Sequence, residues 1–304
     1  MGFRIGIDLG GTKIEAALFD RSNTDLFRKR INTPRNNYWA TLEAIRDLVL
    51  QAEHDAGQKA TVGVGMPGTI SPHSGLVKNA NSTWLNGKPL DRDLSRLLER
   101  PVRFANDANC FALSEAVDGA GKNAPVVFGV ILGTGCGGGI VVNRKVLAGA
   151  NAIGGEWGHT PLPSPTSDEI PGPACYCGRQ GCLETWISGP AFEAQYKDAT
   201  GTAVSAADIT SLAIGGDVTA RACFDLWLGR FARGLAGIIN VLDPDMIVLG
   251  GGLSNISLIY RHIDAAVRPH VFSDACTTPI VQNKHGDSSG VRGAAWLWNE
   301  DGAA

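Results

Sequence analysis

The sequence has no uninterrupted apolar run near the ~18 residues that a membrane-spanning helix requires. It has no run of Lys or Arg longer than the three residues 28–30, and its net charge of −3 provides no electrostatic footprint for nucleic acid or an anionic membrane. Its 7 cysteines are an odd number, and no signal peptide precedes the first predicted strand. We therefore expect a cytoplasmic protein with neither nucleic acid nor a membrane as a partner.

Two common nucleotide-binding signatures are missing or out of context. No G-x-x-x-x-G-K-[ST] sequence occurs, which argues against a P-loop enzyme. Residues 133–138 fit G-x-G-x-x-G nominally, but the apolar strand 140–142 follows them where the dinucleotide fold requires a helix. An NAD-binding Rossmann domain is therefore not expected.

What the sequence does contain is a strand, a glycine turn and a second strand, in two copies roughly 125 residues apart. The copies lie at 4–20 and 126–143, and they suggest a duplicated α/β domain. Apolar periodicity predicts helices over 38–56 and 219–242 and a final helix near 290–298. The aromatic stripe of the helix over 219–242 is interpreted as core rather than as a cofactor site.

Glycine-rich turns follow three apolar strands. Glycine allows backbone N–H groups to approach a phosphate closely, so three such turns favour bound phosphates, although any one alone could be an ordinary hairpin. Asp8, at the end of the first strand, could support Mg²⁺ beside those phosphates, or it could cap its own turn. Asn106 and Asp107 lie where a strand meets a helix. Either residue could cap the N-terminus of that helix. Asp107 could also accept a proton from a substrate hydroxyl during phosphoryl transfer.

Three thiols and one imidazole are clustered in one segment of the sequence, and together they match the ligand set of a closed tetrahedral zinc site. Gly178 and Gly181 provide the tight turn that such a site needs. The alternative is a disulfide, which the odd cysteine count and the expected reducing compartment disfavour. The predicted zinc ligands are His159, Cys175, Cys177 and Cys182.

Glu156 and Glu184 flank this cluster. With His159 they could bind vicinal hydroxyls, or they could be surface carboxylates beside a structural metal. If one ring nitrogen of His159 binds zinc, the other nitrogen becomes a fixed donor toward a ligand.

Taken together, these motifs resemble the ROK family (repressors, open reading frames and kinases). Residues 8–12 resemble the first phosphate motif of the actin-like sugar kinases, residues 132–159 the ROK glycine pattern, and residues 175–184 its zinc element. The resemblance covers essentially the whole chain. It implies an α/β fold of two actin-like (ribonuclease H-like) domains with an ATP cleft between them and a small zinc-binding element.

We place the N-terminal domain at 1–118 and the C-terminal domain at 119–290, with the zinc element at 159–184. The final helix, about 290–304, is left open to return to the first domain. The resemblance also suggests a homodimer.

The resemblance assigns a role to each matching residue. Asp107 becomes the catalytic base, and ATP, Mg²⁺ and structural Zn²⁺ become the expected cofactors. The implied sugar ligands are Gly68, Asn81, Asn106, Asp107, Glu156, His159 and Glu184. The implied nucleotide-binding residues are Asp8, Gly10, Gly11, Thr12, Lys13, Gly133, Thr134, Gly135, Cys136, Gly137, Gly250, Gly251 and Gly252.

Residues 78–87 and the tail from His285 look most like bacterial fructokinases. The expected activity is therefore ATP-dependent phosphorylation of D-fructose at its 6-hydroxyl, with D-mannose as a further candidate. The alternatives are a kinase for glucose, N-acetylglucosamine or N-acetylmannosamine, a sugar-responsive repressor, and a silent sugar-binding protein. Family repressors have a helix-turn-helix segment before the first phosphate motif, where this sequence has seven residues, so the kinase is favoured.

Overall fold

The computed structural model describes residues 2–286 and 289–298, and it has a mixed α/β fold. The described residues form twelve strands: β1 (Phe3–Leu9), β2 (Lys13–Phe19), β3 (Asp25–Asn32), β4 (Ala60–Met66), β5 (Thr69–Ile70), β6 (Val77–Lys78), β7 (Val102–Asn106), β8 (Val126–Leu132), β9 (Cys136–Val142), β10 (Lys145–Val146), β11 (Met246–Gly250) and β12 (Ile280–Gln282). The same residues form nine α-helices: α1 (Tyr38–Ala56), α2 (Leu90–Leu97), α3 (Asp107–Val117), α4 (Glu184–Ile187), α5 (Gly189–Thr200), α6 (Ala206–Ile214), α7 (Val218–Leu242), α8 (Ser257–Val267) and α9 (Ser289–Trp296).

The chain forms two compact units, each with its own internal contacts. The first unit combines the chain up to residue 122 with 139–154 and the C-terminal segment from 284, so α9 belongs to it. The second unit comprises 123–138 and 155–283. The limits 1–118 and 119–290 stay a proposal. Residues 299–304, the end of the predicted final helix, lie outside the described residues.

The first five-stranded sheet has the order β3-β2-β1-β4-β7. β1 pairs antiparallel with β2, whereas β1 with β4 and β4 with β7 are parallel pairs. Asp8 is in register with Gly65, and Met66 is in register with Asn106. Asp8 and Asn106 therefore reach the same edge of the sheet, the carboxyl edge at which α/β proteins bind ligands.

The second five-stranded sheet repeats this topology, with the order β10-β9-β8-β11-β12. β9 and β10 pair antiparallel, and β11 pairs parallel with both β8 and β12. The same strand order in both sheets confirms the duplicated domain that the two strand–turn–strand copies predicted.

Helix α9 packs unusually close to the first sheet. A side chain at Gly6 of β1 would overlap the carbonyl oxygen of Val291, and one at Gly63 of β4 would overlap that of Ala294. On another side of α9, a side chain at Gly293 would overlap the carbonyl oxygen of Cys110 in α3. Because backbone lies directly on backbone at all three places, only glycine fits them.

Two long helices agree with the predicted periodicity. α1 is capped by the Asn37 side chain, which accepts from the Ala40 N–H, and it ends at Gly57 with a φ of 63°. α7 buries Phe224 and Trp227 along its apolar stripe, and these aromatic rings pack into the core as expected. No helix of the described residues combines the length and the hydrophobicity of a bilayer span.

We expect Gly293→Ala to lower the free energy of unfolding by about 1–3 kcal/mol, because the added methyl must displace the backbone of α3. The matched control is Gly229→Ala in α7, where no atom lies within 4 Å of the new methyl. That control should be neutral or more stable by up to about 1 kcal/mol, since alanine is the better helix former. Urea denaturation of both variants provides the measurement, and equal stability of the two would contradict the close packing of α9.

Candidate active site

The turn between β1 and β2, which is predicted to bind phosphate, is held by backbone and side-chain hydrogen bonds. The Gly10 N–H donates to the Lys13 carbonyl at 2.9 Å. Thr33, just after β3, supports the turn, because its N–H donates to the Thr12 carbonyl at 2.9 Å and its hydroxyl donates to the Gly10 carbonyl at 2.8 Å. The Thr12 and Lys13 side chains are exposed. The backbone of the turn is thus fixed by hydrogen bonds, while two of its side chains are exposed. No sequence pattern pointed to Thr33.

Asp8 lies beside this turn as a partly buried carboxyl group. Burial raises its pKa to about 6, with the charges of Asp107 and Glu15 acting in the same direction and Arg30 opposing them. Gly290 at the start of α9 lies against Asp8, where an added side chain would contact Oδ2. A buried acid beside other acids is typical of a functional site, and it suits a group that becomes fully charged when a cation binds.

Asn106 and Asp107 share the start of α3. The Asn106 side chain caps the helix by accepting from the Ala108 N–H at 2.9 Å, and Asp107 Oδ1 accepts from the same N–H at 2.8 Å. Asn106 also donates from its amide to the Gly68 carbonyl at 3.3 Å. The capping interpretation is therefore confirmed for Asn106, while Asp107 is exposed and its carboxylate is held at a helix N-terminus.

Gly68 and Asn81, two of the predicted sugar ligands, lie in loops of the same unit. Gly68 has a φ of 71°, and a side chain there would overlap the Lys78 carbonyl oxygen, so the glycine is required. Asn81 is exposed. The loop before it is held by Asn86, which accepts from the Ala80 N–H at 3.0 Å and donates to the Ala80 carbonyl at 2.9 Å.

In the second unit, the glycine turn after β8 is tied to a predicted sugar ligand. The Gly133 N–H donates to the Gly135 carbonyl at 3.0 Å, and the Gly189 N–H donates to the Gly133 carbonyl at 2.8 Å. The Cys136 N–H donates to Glu184 Oε2 at 2.8 Å. Burial raises the pKa of the Cys136 thiol well above its usual value, so this cysteine contributes its backbone rather than a thiolate.

Trp157 positions the residues on either side of it. Its indole N–H donates to the Gly137 carbonyl at 3.0 Å, and its buried ring meets Phe128 edge-on with centroids 5.6 Å apart. Glu156 before it is exposed, and His159 after it is partly buried. No sequence pattern pointed to Trp157, because its contact is to a backbone atom 20 residues away along the chain.

The third glycine turn follows β11. Gly251 has a φ of 79°, and a side chain there would overlap the carbonyl oxygen of Leu132 at the end of β8. Gly252 and Gly133, by contrast, face open space, since a methyl group added at either would have no atom within 4 Å. The ends of β8 and β11 therefore pack closely against each other, while Gly133 and Gly252 leave free space beside the backbone. The Thr134 side chain is exposed in the same turn as Gly133.

The four predicted zinc ligands come together. Their ligand atoms all lie within 4.8 Å of one another, with Cys175 Sγ 3.6 Å from His159 Nδ1 and Cys177 Sγ 3.6 Å from Cys182 Sγ. Zinc bonded tetrahedrally to sulfur and nitrogen would separate its ligand atoms by about 3.5–3.8 Å, so the donor set fits the metal. All seven cysteines are free thiols, which excludes the disulfide alternative in this structure.

The turn around these ligands has the predicted glycine geometry, since Gly178 and Gly181 have φ values of 87° and 68°. Arg179 lowers the pKa of the exposed Cys177 thiol to about 6, which favours the thiolate that binds metals.

Tyr176, between two of the ligands, was not identified from the sequence. Its hydroxyl oxygen lies 2.9 Å from His159 Nε2, and the two rings meet edge-on at 82° with centroids 5.1 Å apart. Partial desolvation of the hydroxyl raises the Tyr176 pKa to about 12, and the carboxylates of Glu184 and Glu156 add to the rise. The ring nitrogen predicted to face a ligand therefore has a protein partner, and that partner lies within electrostatic reach of both predicted sugar carboxylates.

The loop 161–173, whose role the sequence left open, is anchored to α7. Glu169 is buried and accepts from Arg230 Nε at 2.8 Å and from Arg233 Nη2 at 2.7 Å. These guanidinium groups lower the Glu169 pKa to about 2 despite burial. Arg230 also lies 4.3 Å from the Trp186 ring centroid. The loop is therefore a fixed part of the second unit beside the zinc cluster.

The predicted site residues fall into two groups, one in each unit. Comparison with known proteins identifies the family to which a chain with these two groups of residues belongs. The family model described as "ROK family" matches residues 4–301. The chain belongs to the ROK family.

Several relatives of this ROK protein span nearly its full length. An N-acetyl-D-glucosamine kinase of Haemophilus influenzae is 43% identical over 298 residues, which cover 96% of this chain and 98% of the relative. An N-acetyl-D-glucosamine kinase of Pectobacterium atrosepticum is 43% identical over 296 residues, which cover 96% of this chain and 97% of the relative. The ROK hexokinase of Thermus thermophilus is 32% identical with a TM-score of 0.86, and 97% of each chain is covered. The Streptomyces griseus ROK glucokinase, solved with glucose and AMPPNP, is 28% identical with a TM-score of 0.76 over 97% of this chain and 99% of that one.

The prediction of a fructokinase was wrong. It depended on the likeness of 78–87 and of the tail from His285 to fructokinases, whereas relatives at 42–43% identity over 96% of this chain are N-acetyl-D-glucosamine kinases. Kinases of several hexoses share the residues that bind sugar hydroxyls, so these motifs indicate the reaction better than the sugar. Residues 287–288 of that tail lie outside the described residues.

The pKa of Asp8 leads to a prediction about stability. In the folded protein Asp8 keeps its proton up to about pH 6, whereas in the unfolded chain it loses it near pH 4. Its contribution to stability therefore falls as pH rises from about 4 to 6 and stays low above that range. Asp8→Asn should raise the free energy of unfolding at pH 7.5 by up to about 3 kcal/mol and leave it unchanged at pH 4.

Denaturant titrations at the two pH values measure this effect. Asp20→Asn is the control, and it should lower the free energy of unfolding at pH 7.5 rather than raise it. Backbone N–H donors lower the Asp20 pKa, so the charged carboxylate stabilises the folded protein. An Asp8→Asn variant no more stable than wild type at pH 7.5 would show that Asp8 is not strained by its burial.

For the metal, we expect about one equivalent of zinc in purified protein and none in Cys177→Ser, because three remaining ligands hold zinc much more weakly. Cys276→Ser, which alters a free thiol outside the cluster, is the matched control and should keep the metal. Elemental analysis measures zinc directly. Wild-type protein that contains no zinc after growth and purification in zinc-replete medium would refute the site.

Proposed function

We propose that this protein is an ATP-dependent N-acetyl-D-glucosamine kinase that phosphorylates the primary hydroxyl of the sugar. The observation that carries the proposal is the 42–43% identity, over 96% of this chain, to relatives named N-acetyl-D-glucosamine kinase. Two features of the molecule support it independently. One is an exposed carboxylate at a helix start, and the other is a set of open glycine turns beside strand ends.

Asp107 is proposed as the catalytic base. Its carboxylate is exposed at the first turn of α3, and the hydrogen bond from the Ala108 N–H at 2.8 Å fixes one of its oxygens. Phosphoryl transfer depends mainly on positioning and charge stabilisation, so a fixed carboxylate that orients the sugar hydroxyl and accepts its proton is the group the reaction needs. Asn106 holds this helix start in place through its cap and its hydrogen bond to Gly68.

The sugar hydroxyls are proposed to be bound by carboxylates and amides. Glu184 has one carboxylate oxygen fixed by the Cys136 N–H at 2.8 Å, which orients the group, and Glu156 is exposed beside the fixed Trp157. Carboxylates accept two hydrogen bonds and so suit adjacent hydroxyls. Asn106, Asn81 and Gly68 remain proposed contacts to the sugar. His159 was predicted to contact the sugar through a ring nitrogen, but its Nε2 lies 2.9 Å from the Tyr176 hydroxyl oxygen, so we propose that its contact to the sugar is made through that tyrosine.

The nucleotide is proposed to bind through the glycine turns 10–13, 133–137 and 250–252. The exposed Thr12, Lys13 and Thr134 side chains and the open backbone at Gly133 and Gly252 support this assignment. Asp8 is proposed to support Mg²⁺, which neutralises charge on the phosphates when it is bound. The His159 ring would be held in one orientation by a bond from its Nδ1 to zinc. A homodimer stays a prediction.

A glucokinase is the second candidate, because the hexokinase and glucokinase structures are 32% and 28% identical. The two candidates differ at the sugar's C2 substituent. The ratio of kcat/KM for N-acetylglucosamine and glucose therefore distinguishes them.

The test is ADP release from Mg-ATP with N-acetylglucosamine, glucose, N-acetylmannosamine, mannose and fructose. We expect the highest kcat/KM with N-acetylglucosamine.

Asp107→Asn should lower kcat by about 100- to 10,000-fold with little change in sugar affinity, since it removes the base but keeps the helix start. The matched control is Asp217→Asn, which alters another aspartate at a helix start, and it should keep full activity. A higher kcat/KM for glucose than for N-acetylglucosamine would contradict the proposed substrate. Full activity of the Asp107→Asn variant would contradict the assignment of Asp107 as the catalytic base.

A further inference from the structure

Tyr176 has no role in the functions assigned so far, yet its position is unusual. Its side chain is 84% exposed although it lies between two cysteines of the metal cluster. Its ring meets the His159 ring edge-on, and its hydroxyl oxygen lies 2.9 Å from His159 Nε2. An exposed tyrosine is usually mobile, but here the ring and the hydroxyl both contact His159, and both chain neighbours belong to the proposed ligand set.

The donor and acceptor pattern at this hydroxyl follows from the metal site. His159 Nδ1 is the nitrogen that faces the cluster, 3.6 Å from Cys175 Sγ. A neutral imidazole that binds metal through Nδ1 has its proton on Nε2, and Nε2–H then donates to the Tyr176 oxygen. The phenolic proton is therefore directed away from the imidazole and can be donated to a further acceptor.

The best partner for this phenolic proton is an oxygen atom that accepts hydrogen bonds and has no proton of its own to donate. Sugar hydroxyls both donate and accept, and the two nearby carboxylates of Glu156 and Glu184 suit their protons. An amide carbonyl only accepts, so it matches a phenol that has a single proton to offer. The exposed ring face next to that proton is apolar and can cover a methyl group.

We propose that Tyr176 is the specificity-determining residue that binds the acetamido group of the sugar, through its O–H to the carbonyl and its ring to the methyl. The inference rests on the proposed function, because it concerns the group that distinguishes N-acetylglucosamine from glucose. Zinc, His159 and Tyr176 then form one chain of contacts in which the metal fixes the group that selects the substrate.

The experiment compares wild type with Tyr176→Phe and Tyr176→Ala, using steady-state kinetics and calorimetric binding of both sugars. We expect Tyr176→Phe to raise KM and Kd for N-acetylglucosamine about 3- to 10-fold, with kcat and all values for glucose within about two-fold of wild type. Tyr176→Ala should weaken N-acetylglucosamine further, because it also removes the ring. Both variants should keep the wild-type zinc content, and Tyr38→Phe in the first unit serves as the matched control with unchanged selectivity.

Three outcomes would overturn the inference. Equal losses for both sugars would mean that Tyr176 acts only through His159. Tighter binding of both sugars by Tyr176→Phe would mean that the tyrosine competes with substrate for Nε2. No change for either sugar would mean that it faces elsewhere.

Failure of the proposed function is separable from these results. Wild type that binds N-acetylglucosamine with a Tyr176-dependent Kd but does not phosphorylate it would refute the kinase and support the inference. Wild type that binds glucose as tightly as N-acetylglucosamine would refute the inference whatever its turnover.

Discussion

The close packing of α9 against β1, β4 and α3 is the constraint on which the first unit depends. Glycines at 6, 63 and 293 let the helix backbone touch the backbone of its neighbours, and this contact brings Gly290 against Asp8. The same helix therefore both completes the core and covers the Asp8 carboxylate beside the turn that is proposed to bind phosphate. α3, which starts with Asp107, is fixed against α9 at Cys110. Asp8, proposed to support Mg²⁺, and Asp107, proposed as the catalytic base, are thus both positioned by a helix that lies far from them along the chain.

The second unit reaches a comparable rigidity by different means. Here buried indole and guanidinium groups bind backbone and carboxylate partners across long sequence separations. Trp157 ties the segment 156–159 to Gly137, and Arg230 and Arg233 tie the loop 161–173 to α7 through Glu169. Hydrogen bonds to buried charged groups are stronger than neutral ones, so these few contacts can hold a loop that has little regular structure of its own.

Local pattern was enough to predict α1, α7, the repeated strand–turn–strand unit and the clustering of the proposed metal ligands, because each depends on periodicity or on spacing within a short segment. It could not predict the contacts of Trp157, Glu169 or Tyr176, since their partners are defined only by the fold. The sugar was the clearest failure. Hydroxyl-binding residues recur among kinases of different hexoses, and the substituent at one carbon is distinguished by the shape and hydrogen-bonding atoms of the pocket rather than by a motif.

The hydrogen bond from the Cys136 N–H to Glu184 joins two sites that the proposed function keeps separate. Cys136 lies in a turn assigned to the nucleotide, and Glu184 is assigned to the sugar. With those two assignments, a ligand that shifted the carboxylate would also shift the backbone of the turn, and the two affinities would then share a coupling free energy. Thermodynamic linkage makes that coupling reciprocal: by whatever factor sugar changes the affinity for nucleotide, nucleotide changes the affinity for sugar. The enzyme would then sense the presence of one substrate while it binds the other, through a single backbone amide.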